Sequence, residues 1–228
     1  MELAKRKPSL IVMLTHQDET VPDSLEIFER LKDLPVQHWG FKDVGLAPAE
    51  MGRVVAAMQA AGKTTYLEVV SLSEEAGLQG ARLAVEQGFD VLMGTVYFPS
   101  IRDYLAATPV KYYPFPGQVQ GHPSVLEGTI DEIVAHACWL EAQGVDGLDL
   151  LTYRFTGDAP RLLQQVVAAV KVPVVSAGSI ASYDRIQEVG DAGCWGFTIG
   201  SAFFDNRFVP DAGFDANLRE VADWLQAT

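Results

Sequence analysis

Residues 172–204, VPVVSAGSIASYDRIQEVGDAGCWGFTIGSAFF, decide how this chain is read. The stretch holds two short apolar runs, each closed by a glycine–serine pair, Gly178-Ser179 and Gly200-Ser201, and each followed by residues that pattern as a helix. Runs this short and this uniformly apolar fit strands buried on both faces. A glycine at a strand's end lets a ligand's oxygens approach the backbone, and the helix after it presents unpaired N–H groups and the positive end of its dipole. Two such turns on consecutive βα units suit one shared phosphate monoester, as expected after strands seven and eight of a (β/α)8 barrel.

Outward from this stretch the same grammar recurs. A helix ends in glycine and a β-rich run begins at once, in AMQAAG-KTTYLEVV, AVEQG-FDVLMGTVYF, LEAQG-VDGLDLL and VGDAG-CWGFTIG. Gly62, Gly88, Gly144 and Gly193 stand where a helix C-cap needs the left-handed conformation. The full reading predicts strands at 10–15, 36–42, 64–70, 90–96, 110–115, 145–151, 172–177 and 196–199. Amphipathic segments such as DSLEIFERLKDL and DAPRLLQQVVAAVK lie between them, Ser73, Asp131 and Asp158 stand near helix starts, and DANLREVADWLQAT closes the chain as an eighth helix. Strict βα alternation argues for an α/β fold, a single (β/α)8 TIM barrel with eight parallel strands spanning residues 1–228 as one domain. A doubly wound open sheet is the main competitor.

Composition narrows the function. With 48% hydrophobic and 21% charged residues, the 228-residue chain has the profile of a globular protein with a substantial core. It holds no run of 18 apolar residues, and the opening MELAKRKPSLIVMLTHQDET reads as a first strand rather than a signal peptide. The net charge of −13, with no Lys/Arg cluster, speaks against a nucleic-acid partner. No membrane segment is expected, and self-association is left open. Cys138 and Cys194 make no metal pattern and read as buried small apolar residues rather than a disulfide, which favours a cytoplasmic setting.

Strand parity predicts a pocket. Side chains of a barrel strand alternate between the interior and the helix layer. Trp39 and Phe41 are large and apolar and belong against the helices, which turns His38, Gly40 and Lys42 inward. By the same rule Thr65, Leu67 and Val69 face out and Tyr66 and Glu68 face in, while Leu148 and Leu150 face out and Gly147 and Asp149 face in. Parity in the first, fourth and fifth strands is not decided by pattern. Three inward charges, Lys42, Glu68 and Asp149, need a polar pocket or mutual pairing. An amine beside two carboxylates, capped by a phosphate site, can move a proton next to a carbonyl: the carboxylate abstracts it and the ammonium steadies the enolate. The competing reading makes Lys42 and Glu68 a structural ion pair, and Asp149 an acceptor for neighbouring amides.

Further candidates surround this set. His16 and Asp18 follow the first strand, and Tyr153 and Arg154 follow the sixth, where His16 and Arg154 could add ligand contacts. Lys42 or Lys111 could form a Schiff base, although nothing singles out either. The four histidines, His16, His38, His122 and His136, fall in different units, so neither a metal nor another cofactor is expected. The segment PFPGQVQGHPSVLEG could be a lid carrying Gln118, Gln120 and His122 to the mouth, or a surface loop.

The sequence VPVVSAGSIASYDRIQEVGDAGCWGFTIGSAFF resembles the closing half of the ribulose-phosphate-binding barrel superfamily, which includes N-acylglucosamine-6-phosphate 2-epimerases, 3-keto-gulonate-6-phosphate decarboxylases and the histidine-pathway isomerases. That resemblance implies that the backbone at Gly178, Ser179, Gly200 and Ser201 holds a phosphate. KTTYLEVVSLSEEAGLQGARLAVEQGFDVLMGT and VDGLDLLTYRFTGDAPRLLQQVVAAVKVPVVSAGSI are similar in layout to the glycerol-3-phosphate-responsive antiterminators. The decarboxylases' Asp-x-Lys-x-x-Asp is replaced by YLEVVS, and the epimerases' paired lysine and glutamate have no counterparts at matching positions, so no subfamily follows. The antiterminators act on RNA, for which this acidic composition is ill suited.

The leading expectation is an enzyme acting on a small phosphorylated sugar or sugar acid, an isomerase, epimerase or lyase working through an enolate-like intermediate. Glu68 or Asp149 would be its acid/base and Lys42 the electrostatic partner. The alternative is a non-catalytic sensor that binds a phosphorylated metabolite. A nicotinamide-dependent oxidoreductase lacks the G-x-G-x-x-G turn.

Overall fold

The structure is a computed structural model and describes residues 7–121 and 123–227. Eight parallel strands form one sheet: β1 (Ser9–Met13), β2 (His38–Lys42), β3 (Thr64–Val69), β4 (Val91–Val96), β5 (Lys111–Phe115), β6 (Leu148–Leu150), β7 (Val174–Ser176) and β8 (Gly196–Ile199). Their order is β6-β7-β8-β1-β2-β3-β4-β5. The two ends of that series meet where Asp146 N–H donates to Tyr112 O at 3.1 Å and Tyr112 N–H to the Asp146 carboxylate at 3.0 Å. The sheet is thus a nearly closed (β/α)8 barrel, and the doubly wound alternative is excluded.

Helices α1 (Ser24–Leu31), α2 (Pro48–Ala60), α3 (Glu74–Gln87), α4 (Pro99–Leu105), α5 (Ile130–Ala142), α6 (Ala159–Ala169) and α7 (Tyr183–Asp191) connect successive strands. The one-turn α8 (Ser201–Phe204) precedes the closing α9 (Gly213–Ala227). Ser73 caps α3 by accepting from Ala76 N–H, and Asp158 caps α6 by accepting from Arg161 N–H. At α5 the cap is Thr129, in a reciprocal box with Glu132, rather than the neighbouring Asp131. The four glycines expected after helices all take left-handed φ, between 69° at Gly62 and 81° at Gly144.

Two cores follow from the strand alternation. The outer one packs Trp39, Phe41, Leu67, Val69, Leu148 and Leu150 against the helices. The inner one fills the barrel with Ile11, Met13, Tyr66, Val91, Met93, Tyr113 and Val175. Parity read for β2, β3 and β6 agrees with this division, and the structure resolves the rest, with Ile11, Met13, Val91, Met93 and Tyr113 facing in. Gly147 is inward because the Tyr113 ring takes its place; a Cβ there would stand 2.5 Å from that ring. Above this inner plug, the C-terminal ends of the strands open into a cavity.

The structure departs from expectation at two connections. Thr15 is not the end of β1; it opens a small hairpin, Thr15–His16 paired with Glu19–Thr20. Its two-residue turn, Gln17 and Asp18, has φ of 51° and 66°, the left-handed pair that suits strand twist. The proline- and glycine-rich segment forms a second hairpin, Gln118–Gln120 with Val125–Glu127. Gly117 N–H donates to His136 Nδ1 at 2.7 Å and Gln120 pairs with Glu127, which ties this hairpin to α5 and to itself. His122 lies outside the described residues.

Candidate active site

The C-terminal ends of the strands surround a cavity of about 310 Å³. Lys42, Glu68, Arg154, Gly178, Ser179, Gly200 and Ser201 all line it, so seven of the nine residues singled out from sequence meet in one place. Asp18, Arg185, Asp205 and Arg207 line it as well. His16 and Asp149 do not.

One wall is backbone. Gly178 and Ser179 are consecutive left-handed residues, φ 80° and 59°, which turn the chain sharply away from β7. Three further residues, Ile180, Ala181 and the α7 cap Ser182, intervene before the helix, so this turn offers loop amides rather than the first turn of α7. Gly200 caps α8 directly, with φ −128° and ψ −90°. Neither glycine has room for a side chain: a Cβ at Gly178 would lie 2.9 Å from Arg154 Cγ, and one at Gly200 would lie 2.6 Å from Thr15 Oγ1 and 2.8 Å from Thr15 O. Among the described residues, no acceptor takes a hydrogen bond from the main-chain N–H of Ser179, Ile180, Ser201 or Ala202. Arg185 donates to Ser179 O and lies 4.6 Å above the centre of the Tyr153 ring, so one guanidinium braces the turn from below.

The opposite wall is charge. Lys42 Nζ donates to Asp18 Oδ1 at 2.6 Å and stands 3.4 Å from Glu68 Oε1. Arg154 Nη2 donates to both oxygens of Asp18, at 3.0 and 3.3 Å. Lys42, Glu68 and Asp18 are each at most 8% exposed, which makes these pairs far less screened than surface ion pairs. Burial works to raise the Asp18 carboxyl, but the hydrogen bonds and charges of Lys42 and Arg154 outweigh it and hold it below the ordinary range. Burial likewise works to lower Lys42, and the Glu68 charge with the Asp18 bond raises it above its ordinary value. Lys42 is therefore a fixed ammonium.

Asp149 sits beneath this wall. Its strand register pairs it with Val175 of the inner plug, and it is fully buried with no hydrogen-bond partner on either carboxylate oxygen. Burial, reinforced by the Glu68 charge, pushes it well above the usual carboxylate range. It does not bond neighbouring amides. His16 flanks the cavity instead of lining it: Nε2 meets Asp205 Oδ1 at 2.9 Å and its ring stacks on Phe204 at 5.1 Å. Lys111 is exposed at the N-terminal start of β5, remote from the mouth, which removes it as a Schiff-base lysine here.

Asp18, Arg185 and Arg207 received no role from sequence. Asp18 reaches the site only because the hairpin folds its tip inward, a contact between positions 18, 42 and 154 that no local pattern announces. Arg185 had a usable signal, since an arginine in the first turn after a Gly-Ser loop is placed to meet an anion. Among the described residues no cluster of His, Cys, Asp or Glu could hold a metal ion, and no helix is long and apolar enough to cross a membrane.

No family model matches the chain, and no curated sequence matches it. Solved structures do. Orotidine 5'-phosphate decarboxylase from Pyrococcus horikoshii superposes with a TM-score of 0.70 at 12% identity, covering 96% of this chain and 100% of that one. N-acetylmannosamine-6-phosphate 2-epimerase from Clostridium perfringens gives 0.62 at 12% identity, over 85% and 86% of the two chains. A glycerol uptake operon antiterminator regulatory protein from Listeria monocytogenes gives 0.57 at 17% identity, over 88% and 96%. What the chain shares with these three is the (β/α)8 barrel itself.

Proposed function

We propose that this barrel is an enzyme acting on a small phosphorylated sugar or sugar acid, through proton abstraction next to a carbonyl. The observation that carries the reading is the position of Lys42, clamped between Asp18 and Glu68 on one wall of a cavity whose other wall is the Gly178 and Gly200 turns. The phosphate would sit on the amides of Ser179, Ile180, Ser201 and Ala202, with Arg185 and Arg207 supplying positive charge. That places the carbon skeleton across the cavity toward Lys42.

Glu68 takes the acid–base role. It removes a C–H proton, the electron pair moves into the carbonyl, and the Lys42 ammonium stabilises the oxyanion that develops. Return of the proton to another carbon or another face gives an isomer or epimer; loss of a carbon–carbon bond instead gives a lyase. Asp149 lies outside the cavity lining and takes no direct part in the step. A Schiff base on Lys42 is disfavoured because the amine must be neutral to attack, and its two carboxylates keep it charged. Support from the comparisons is general: two of the aligned barrels are named for phosphate-bearing substrates.

A second reading, a barrel that binds such a metabolite without changing it, rests on the alignment with the antiterminator regulatory protein. A thermal-shift screen of phosphorylated sugars followed by proton NMR in deuterated water separates the two. The enzyme washes a C–H proton of its hit into solvent, and Glu68→Gln slows that exchange by about 10²–10⁴-fold with phosphate-ester affinity retained. A ligand that binds and keeps all its protons favours the sensor, and full exchange by Glu68→Gln removes Glu68 from the mechanism.

A further inference from the structure

The charged wall is balanced within itself. It presents two cations, Lys42 and Arg154, and two carboxylates, Asp18 and Glu68, and every one of them has an opposite charge within 3.4 Å. Asp149 beneath them is fully buried and does not line the cavity, so a ligand in the cavity does not meet it. The surplus of positive charge is at the other end, where Arg185 and Arg207 line the cavity beside the two turns and the one acid there, Asp205, is bonded to His16. Resting on the reading that those turns hold a phosphate, we infer that the ligand's body is uncharged: a phosphate monoester whose far end carries hydroxyl and carbonyl groups, not a second carboxylate.

The argument is one of available partners. A carboxylate reaching Lys42 would meet Asp18 and Glu68 as like charges whose burial weakens their screening. It could bond Lys42 or Arg154 only by sharing a cation whose charge already balances those buried acids, which are 8% exposed. A neutral oxygen faces no such cost. An ammonium has three N–H donors, of which Asp18 takes one and Glu68 competes for another at 3.4 Å, so donor capacity remains for a carbonyl or hydroxyl oxygen. Glu68 in turn can accept from a ligand hydroxyl. The wall is therefore built to recognise polarity rather than charge, and it discriminates against sugar acids within the substrate class proposed above.

Calorimetric titration of the intact protein with matched pairs tests this. Glucitol 6-phosphate and 6-phosphogluconate differ only in CH2OH against carboxylate at the end away from the phosphate, and erythritol 4-phosphate and 4-phosphoerythronate repeat the contrast on a shorter chain. The alcohol is expected to bind at least tenfold more tightly in the better-fitting pair. Glu68→Gln, which leaves one uncompensated cation on the wall, is expected to shift that ratio about tenfold toward the acid while the affinity for inorganic phosphate stays constant. Equal or tighter binding of the acid by the unaltered protein overturns the inference, and so does a ratio that Glu68→Gln leaves unmoved. If the acid wins and inorganic phosphate still competes with both members, the phosphate reading stands and only the neutral-body inference falls. If neither inorganic phosphate nor any of the four esters binds, both fall together.

Discussion

The two walls of the cavity solve the same problem with different materials. The backbone wall presents main-chain amides from two neighbouring loops, close in sequence and held by glycines that have no space for a Cβ. The charged wall uses side chains from residues 18, 42, 68 and 154, brought together only when the barrel closes. Backbone donors cannot ionise and depend on local geometry; the side-chain array depends on its mutual pairing. Each wall should therefore fail in its own way, and substitutions can show whether the division is real.

The largest effect belongs to Lys42. Lys42→Met removes the cation shared by Asp18 and Glu68, leaving Glu68 buried without its counter-charge and Asp18 with Arg154 alone, and should cost about 3–5 kcal/mol of stability. Urea denaturation reads this directly. Loss of under 1 kcal/mol would mean that Arg154 and solvent compensate, and that the array is not the coupled unit its distances describe.

How much of each wall could be read in advance follows from the same contrast. Gly178-Ser179 and Gly200-Ser201 are local signals, visible because a strand end and a turn occupy adjacent residues. Lys42 and Glu68 were readable because Trp39, Phe41 and Leu67 settle which way their strands face. In β1 the apolar run LIVM after Ser9 gives no alternation, and in β4 a shift in register between Met93 and Val96, with left-handed Gly94 and Thr95, interrupts it. Asp18 carries no local signal of its role because its partners are 24 and 136 residues away. Alternation turns Asp149 inward, but parity says nothing of depth. Its register with Val175 puts it level with the plug, whereas Lys42 and Glu68 are paired with each other at the ends of β2 and β3.

Next in size is the backbone wall, proposed above to hold the phosphate. Gly200→Ala drives a Cβ to 2.6 Å from Thr15 Oγ1 and 2.8 Å from Thr15 O, so the backbone must move. A stability loss of about 1–3 kcal/mol is expected, typical of forced overpacking. The affinity for inorganic phosphate should fall with it, whereas Glu68→Gln should leave that affinity alone. Equal phosphate binding by Gly200→Ala and the unaltered protein would break the assignment of this turn to the anion.

Asp149 gives an effect that depends on pH. Its folded-state pKa is raised, so ionisation in the unfolded chain favours unfolding as pH rises above the ordinary carboxylate value of 3.8. Asp149→Asn removes that penalty and should melt higher than the unaltered protein at neutral pH, with the advantage vanishing as pH falls toward 3.8. Asp18 acts in the opposite sense. Its pKa is depressed, so its contribution is present above 3.8 and is lost as pH falls through the lower folded value. A stabilising effect of Asp149→Asn that is the same at both pH values would show that the group is not a buried acid holding its proton.

The smallest effect is the most pointed test of a wall made of backbone alone. Ser179 holds φ at 59°, a conformation that costs a side chain about 1–2 kcal/mol, and glycine in its place gives back about 0.5–1 kcal/mol in lost chain entropy. Ser179→Gly should therefore stabilise the fold by roughly 0.5 kcal/mol. If the anion is held by amides, the N–H of residue 179 survives the change and phosphate affinity stays within about twofold, a few tenths of a kcal/mol. A tenfold loss of affinity in a more stable protein would instead give the hydroxyl a direct part in binding. The strained serine would then be kept for its side chain, and the contrast between a backbone wall and a side-chain wall would have to be redrawn.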